Sequence, residues 1–282
     1  MRFSSRIPIL AIVAFGVLLL GACGDDEVPM PVVTITAADY SFTLPETIEG
    51  GLTRLRLDNT GQEDHHVQFL RLQEEVTMEQ FQGFMQQEGA DLTQVVAGGG
   101  GVSVVAPASQ AEAIMDLQPG NYVLVCFIPS PSDGVPHFAK GMLNTLTVTA
   151  APEDQPDRPE AAQTVSMTDF AFSPLTDLDS GVTTVEVVNN GQQIHEMAVV
   201  RLKGITTEQL LQMFAAEGGG EPPPGPPPFE FVGGLQATMP GETGWAVLDL
   251  APGDYALVCF VEDPETGTPH AALGMTSSFT IQ

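Results

Sequence analysis

Basic residues are scarce in this 282-residue chain, which has nine Lys and Arg against 36 Asp and Glu. The formal net charge of −27 excludes a nucleic-acid-binding protein, because binding to phosphates depends on clustered Lys and Arg. Helical patterns are also rare, whereas short alternating apolar runs bounded by Gly, Pro and Asn recur, and this favours an all-β chain. The acidic surface either keeps the chain soluble outside a cell or steers it towards a basic partner.

Cysteine and histidine are rare, with three Cys and five His, yet two of each recur in register. Each set follows a Gly-x-Tyr strand, and in each set ten residues separate Cys from His and four separate His from Met. The two sets are Cys126, His137 and Met142, and Cys259, His270 and Met275. Thiolate, imidazole and thioether are soft metal ligands, so the repeat predicts two metal sites.

The repeat extends well beyond these residues and predicts two tandem domains. An Asn-x-Gly turn leads to His65 in copy one and to His195 in copy two, which adds a second imidazole to each set. Each copy also has one capping-box signal for a short helix, at Thr77 and at Thr206. The predicted segments are a tether at 23–31, copy one at 32–149, a Pro-rich linker at 150–162 and copy two at 163–282.

Glycine and proline are concentrated after each predicted helix, where the copies differ most. Copy one has Gly98 to Gly101, and copy two has Gly218 to Gly220 followed by the Pro-rich run at 222–228. Both stretches are expected to be mobile surface loops.

Residues 1–22 are predicted to be a lipoprotein signal peptide. Two Arg residues precede an uncharged apolar run at 7–20, which is too short for a membrane span of roughly 20 residues. The run ends in Leu-Gly-Ala-Cys23, which resembles the bacterial lipobox, and we expect a lipid on Cys23 after cleavage. The protein would then be exported and anchored to the membrane, and in a Gram-negative host Gly24 favours the outer membrane.

With Cys23 lipidated, two thiols remain in an oxidising compartment. Cys126 and Cys259 could form a disulfide, but they hold the same position in two copies, each in its own buried strand. Metal ligation is the preferred interpretation, and the disulfide stays an alternative. Cleavage also leaves seven basic residues against 36 acidic ones, a formal charge of −29.

Two imidazoles, a thiolate and a weak axial thioether are the ligand set of a blue-copper electron-transfer site. The predicted ligands are His65, Cys126, His137 and Met142 in copy one, and His195, Cys259, His270 and Met275 in copy two. His66 is expected on the opposite strand face from His65, in solvent or behind the ligands.

The spacings Asn-x-Gly-x-x-x-His, Gly-x-Tyr-x-x-x-Cys and His-x-x-x-Gly-Met resemble those of the cupredoxins, the plastocyanin- and azurin-like proteins. The resemblance covers nearly all of both copies and implies Greek-key β-sandwiches with one type 1 copper each. It also implies that His137 and His270 form the solvent-facing edge through which electrons pass. The ten-residue Cys–His loop departs from the family pattern and is expected to contain an extra turn, from Pro129 to Pro136.

The function that these residues favour is electron transfer through two type 1 copper sites, and the acidic composition favours a basic redox partner protein. A copper enzyme is not expected, because the residues beside each Cys are Val and Phe and all five His have other roles. The alternative is a cupredoxin-like module for copper storage, copper delivery or protein binding. Hydrolase motifs are absent from the sequence.

Overall fold

The computed structural model describes residues 28–87, 91–217 and 226–282 of the chain. Each copy consists of strands with one α-helix, so the prediction of an all-β chain with one short helix per copy is confirmed. The elements of copy one are β1 Val32–Ala38, β2 Ser41–Thr43, β3 Thr47–Glu49, β4 Gly51–Asn59, β5 His65–Leu72, α1 Met78–Met85, β6 Val96–Val105, β7 Gln110–Leu117, β8 Gly120–Val125 and β9 Leu143–Thr149.

Copy two repeats this order with one strand fewer among the described residues. Its elements are β10 Gln163–Thr168, β11 Ala171–Phe172, β12 Gly181–Asn189, β13 His195–Leu202, α2 Thr207–Glu217, β14 Phe229–Thr238, β15 Thr243–Leu250, β16 Gly253–Val258 and β17 Thr276–Ile281. Three short 3-10 helices at Leu92–Gln94, His137–Lys140 and His270–Leu273 complete the described secondary structure.

Two mixed sheets form the sandwich, and both copies contribute to each of them. One sheet has the strand order β11-β10-β12-β15-β7-β4-β1-β2, and the other has the order β17-β16-β13-β14-β6-β5-β8-β9-β3. The copies meet where β7 pairs antiparallel with β15 and β6 pairs antiparallel with β14. The two copies are therefore joined through backbone hydrogen bonds in both sheets, in addition to the covalent linker.

Alternating strand residues build the core between the sheets, as the period of two requires. A single buried cluster runs through both copies, from Ile35 and Leu55 in copy one to Val185 and Leu257 in copy two. The helices lie outside this layer, where Phe81 of α1 and Leu210 of α2 are buried against the second sheet.

Gly98 to Gly101 lie inside β6, so the prediction of a mobile loop there is wrong. Strand β6 is the central joint between the copies, and its neighbours approach it too closely for side chains. A Cβ atom on Gly99 would lie 2.6 Å from the carbonyl oxygen of Ala237, and one on Gly101 would lie 2.1 Å from that of Val67. The glycine run serves close strand packing instead of flexibility. Residues 218–225, which contain most of the corresponding stretch of copy two, lie outside the described residues.

The 150–162 segment follows the surface between the copies without regular structure. The side-chain carbonyl of Gln155 accepts a hydrogen bond from the backbone N–H of Leu52, and the guanidinium of Arg158 lies 5.8 Å from the ring of Trp245. The predicted domain boundaries stay predictions. In the part of the chain that the structure describes, no helix has the length and apolarity to cross a membrane.

Strand pairing places the two predicted metal sites at different ends of the joint. His65 pairs with Val105, and His195 pairs with Thr238. Across the joint Val105 pairs with Val232, which lies six residues before Thr238. Six residues of strand correspond to about 20 Å. The sites consequently lie towards opposite ends of the shared sheet.

Candidate metal centres

Site 1 consists of His65, Cys126 and His137, whose side chains converge between the sheets. His65 is the first residue of β5, Cys126 follows β8, and His137 begins a 3-10 helix. Nδ1 of His65 lies 3.1 Å from Nδ1 of His137, which in turn lies 3.4 Å from Sγ of Cys126. None of the three residues is exposed to solvent.

Site 2 consists of His195, Cys259 and His270 and has the same geometry. The two Nδ1 atoms are 3.1 Å apart, and Sγ of Cys259 lies 3.5 Å from Nδ1 of His270. All three residues are again fully buried. In both sites the three donor atoms lie within 4.8 Å of one another.

Met142 and Met275 are fully buried, each two residues after the end of a 3-10 helix. The backbone of Met142 ties the site together, because its carbonyl accepts from the N–H of Cys126 and its N–H donates to the carbonyl of His137. The structure thus brings the predicted histidines and cysteines together and holds each methionine next to them along the backbone. Their roles as ligands stay predictions. Cys126 and Cys259 are both free thiols.

The ten residues between Cys and His form a loop closed by a turn, and this loop brings the histidine back to the site. In copy one, Pro129 and Pro136 face each other across a turn that is closed by the hydrogen bond from Ser130 N–H to the carbonyl of Val135. The N–H of His137 then donates to the carbonyl of Ile128. Copy two has the same arrangement, with Glu262 facing Pro269.

Hydrogen bonds on the far side of each ring assign the tautomer of the histidines. Nε2 of His65 lies 3.2 Å from a carboxylate oxygen of Asp39, and Nε2 of His137 lies 2.8 Å from one of Glu63. A carboxylate only accepts, so each Nε2 carries the proton and each Nδ1 is a bare lone pair. In site 2, His195 Nε2 faces Asp169 in the same way, at 2.9 Å.

Two bare imidazole nitrogens facing each other at 3.1 Å repel unless a cation lies between them. Donor atoms bound to one metal ion at about 2.0–2.3 Å lie about 3–4 Å from one another. The Nδ1–Nδ1 and Nδ1–Sγ distances of both sites fall in this range. The donor set of two imidazoles and one thiol is suited to copper. The chain therefore contains two His-Cys-His groups that could bind copper.

Burial sets the protonation of these groups before any metal is bound. It raises the pKa of the Cys126 thiol to about 12, and it raises the pKa of the Cys259 thiol further. Burial also lowers the pKa of His65, His195 and His270, because the charged imidazolium is disfavoured away from water. At neutral pH the thiols are protonated, and only they have a proton to lose at the donor atom.

The turn after β4 is organised by a buried asparagine. Asn59 donates from its side chain to the carbonyls of Glu63 and Val105, and its side-chain oxygen accepts from the N–H of Gly61. Asn189 makes the corresponding three bonds in copy two. This network explains why the Asn-x-Gly pattern precedes the first histidine of each site.

The turn between β1 and β2 also contributes to the site, which the sequence interpretation missed. Asp39 accepts from the N–H groups of Gln62 and Glu63 as well as facing His65. Burial alone would raise the pKa of Asp39, but these hydrogen bonds outweigh it and the pKa is lowered. The signal was present, because an Asp-aromatic pair occurs at the same place in both copies, as Asp39-Tyr40 and Asp169-Phe170.

An aromatic ring covers the second histidine of each site. The Tyr40 ring lies 5.3 Å from that of His137, and the Phe170 ring lies 5.2 Å from that of His270. Both aromatic residues have positive φ angles, 66° and 64°, which is uncommon for bulky side chains and costs of order 1–3 kcal/mol. The implied solvent-facing edge at His137 and His270 is wrong in this structure, since both histidines are fully buried beneath these rings.

His66 and its counterpart Glu196 are buried behind the cysteine, which rules out the solvent position for His66. Nε2 of His66 accepts from the N–H of Phe127, and a carboxylate oxygen of Glu196 accepts from that of Phe260. Burial lowers the pKa of His66 to about 3 and raises that of Glu196 to about 7.

Gly61→Ala is expected to disrupt site 1 selectively. An added Cβ would lie 2.4 Å from the Asp39 carboxylate and 2.7 Å from Nε2 of His65, so the bond that orients His65 would break. We expect copper affinity at site 1 to fall about 10- to 100-fold, measured by competition with a copper chelator. Gly83→Ala in α1 is the control, because a Cβ there meets nothing within 4 Å. Equal affinity in both variants would contradict the role of this close approach.

Copper(II) binding at pH 7 is expected to release about one proton per site, from the thiol. The Cys126 thiol, with its pKa near 12, must lose a proton to ligate, whereas the Nδ1 atoms are already bare. Calorimetric titration in buffers of different ionisation enthalpy measures this number, and Cys259→Ser should halve the total. A release near zero or near three protons per copper would contradict the assigned protonation.

No family model and no curated protein matches the chain. Solved structures that do match include a reduced auracyanin from Roseiflexus castenholzii, with 18% identity, a TM-score of 0.28 and coverage of 43% of this chain and 97% of that one. A multicopper oxidase matches with 15% identity, a TM-score of 0.26 and coverage of 89% and 88%. The copper nitrite reductase from Nitrosomonas europaea matches with 13% identity, a TM-score of 0.26 and coverage of 90% and 94%.

These matches agree with the cupredoxin-like fold that the motifs predict, but identities and TM-scores this low do not indicate what the chain does. They contradict the prediction that the chain is not an enzyme, because matches along about nine-tenths of it include an oxidase and a reductase. The prediction rested on counting histidines. Such a count constrains only catalytic centres that are built from histidine, so it was too narrow a basis for excluding catalysis.

Proposed function

We propose that the chain is an extracytoplasmic electron-transfer protein with one type 1 copper in each copy. The observation that carries this proposal is the pair of bare Nδ1 atoms 3.1 Å apart in each site, with a cysteine sulfur 3.4–3.5 Å from one of them. Two histidines and a cysteine in each copy, together with the nearby methionine, would hold copper, which would supply one-electron chemistry.

The protein's contribution is to keep the donors in place and water out. Each Nε2–H group is bonded to an acceptor on a neighbouring turn, which fixes the orientation of its ring. All six donor residues are fully buried. A rigid, dry donor set changes little when an electron enters or leaves, and this favours rapid transfer.

Electrons would reach each site through the aromatic cover, since neither second histidine is exposed. Tyr40 over His137 and Phe170 over His270 are both half-buried, so each ring bridges the donor set and the surface. The acidic composition supports a partner with a basic docking face.

The mature protein with copper(II) is expected to absorb intensely in the visible region and to show a narrow copper hyperfine splitting in its EPR spectrum. Cys126→Ser and Cys259→Ser should each remove about half of the blue absorbance, and the double variant all of it, because the thiolate is the ligand responsible. Metal analysis of the same samples provides the control for copper content. A protein that is colourless and holds only copper(I) would overturn electron transfer in favour of storage or delivery.

We also propose that a lipid on Cys23 anchors the protein to a bacterial membrane. Cys23 lies outside the described residues, so support comes from the apolar run and the Leu-Gly-Ala-Cys sequence. In a bacterial host, Cys23→Ser should shift the protein from the membrane to the soluble fraction, whereas Cys126→Ser should not. Mass spectrometry of the N-terminal peptide of the wild-type protein should show the acyl chains. An unmodified peptide, or an unchanged membrane fraction, would contradict the anchor.

A further inference from the structure

The two sites differ in what bonds the second histidine. In site 1, Nε2 of His137 donates to a carboxylate oxygen of Glu63 at 2.8 Å. In site 2, Nε2 of His270 donates to the side-chain oxygen of Gln193 at 2.8 Å. Glu63 and Gln193 hold the same position in the repeat, two residues before His65 and His195.

The groups around these two side chains differ in a matching way. The carboxylate of Glu63 also accepts from the hydroxyls of Tyr40, at 3.0 Å, and Ser130, at 3.1 Å. Three donors, two hydroxyls and the Nε2–H group of His137, thus surround one partly buried carboxyl group. In copy two, Phe170 occupies the position of Tyr40 and has no hydroxyl, and Asp263 occupies the position of Ser130.

Asp263 fixes the orientation of the amide in site 2. The side-chain nitrogen of Gln193 donates to the Asp263 carboxylate at 3.1 Å, so its oxygen must face His270. Site 2 therefore has a neutral amide between the carboxylate and the imidazole. Site 1 has the carboxylate in direct contact with the imidazole.

We propose, on the basis of the proposed function, that the direct contact of Glu63 with His137 lowers the reduction potential of copper at site 1, an effect that the neutral amide of Gln193 does not have at site 2. A carboxylate on Nε2–H makes the imidazole a stronger donor at Nδ1, and a stronger donor favours copper(II) over copper(I).

Apart from Glu196, the other charges near the two sites are either matched between the copies or paired. Asp39 and Asp169 hold equivalent positions, so their effects on the two sites are similar. Lys140 is near site 1, but its ammonium group is paired with Asp133 at 2.8 Å and lies 3.3 Å from the hydroxyl of Tyr40. The buried Glu196 acts on site 2 alone, so the comparison requires its replacement by Gln.

Each site can be measured alone by removing the cysteine of the other. Cys259→Ser leaves site 1, and Cys126→Ser combined with Glu196→Gln leaves site 2. Spectroelectrochemical titration of the blue absorbance then gives each reduction potential. We expect site 1 to have the lower potential and Glu63→Gln to raise it. Gln193→Glu combined with Asp263→Ser, which removes the carboxylate next to position 193 and restores the serine of copy one, should lower the potential of site 2. Each shift should change the redox equilibrium constant about tenfold, which is about 59 mV for one electron.

Tyr40→Phe distinguishes tuning from a purely structural role. This variant removes one of the hydrogen-bond donors to Glu63, so the Glu63 carboxylate should interact more strongly with His137. The reduction potential of site 1 should then fall, which is opposite to the effect of Glu63→Gln. Gln192→Glu is the matched control for site 2, because Gln192 is exposed and adjacent to Gln193. It should shift the potential much less than Gln193→Glu combined with Asp263→Ser.

The outcomes separate this inference from the proposed function. Absence of blue copper in the wild-type protein would overturn the proposed function. Blue sites with equal potentials, or a Glu63→Gln variant whose potential is unchanged or lower, would overturn the role of Glu63 alone. Shifts of the same sign in Glu63→Gln and Tyr40→Phe would also overturn it.

Discussion

The facing pair of unprotonated imidazole nitrogens is the constraint on which both sites depend. Acceptors on neighbouring turns hold the Nε2 protons on the opposite sides of the rings, so the Nδ1 lone pairs face each other. Burial keeps the adjacent thiols protonated until a metal displaces the proton. The two Nδ1 lone pairs therefore repel each other until a cation binds between them. The turns after β1 and β4 hold the rings in this arrangement.

The shared sheets give this arrangement a stable base. The β6–β14 and β7–β15 pairs join the copies inside the core, so the sites are held at a set separation along a common sheet. The glycines of β6 permit this joint by letting neighbouring carbonyls approach closely. The two copies together form one sandwich, which contains two equivalent centres towards its opposite ends.

Equivalence of fold does not imply equivalence of chemistry. The donor atoms of the two sites are the same in kind and spacing. The groups around the second histidine differ: they are Tyr, Glu and Ser in copy one, and Phe, Gln and Asp in copy two. These differences change the charge next to one imidazole, while the backbone hydrogen bonds around the two sites correspond.

The sequence by itself determined the all-β class, the helix caps and the residues that converge, because alternation, capping boxes and a repeated Cys–His–Met spacing are local patterns. Tertiary structure decided the rest. Gly98 to Gly101 resemble a loop until β14 is placed beside them, and His137 is expected at the surface until Tyr40 folds over it. The pairing of Glu63 with His137 spans 74 residues, and such a contact has no local signal. It exists only because the strands that carry the two turns meet at one end of the sandwich.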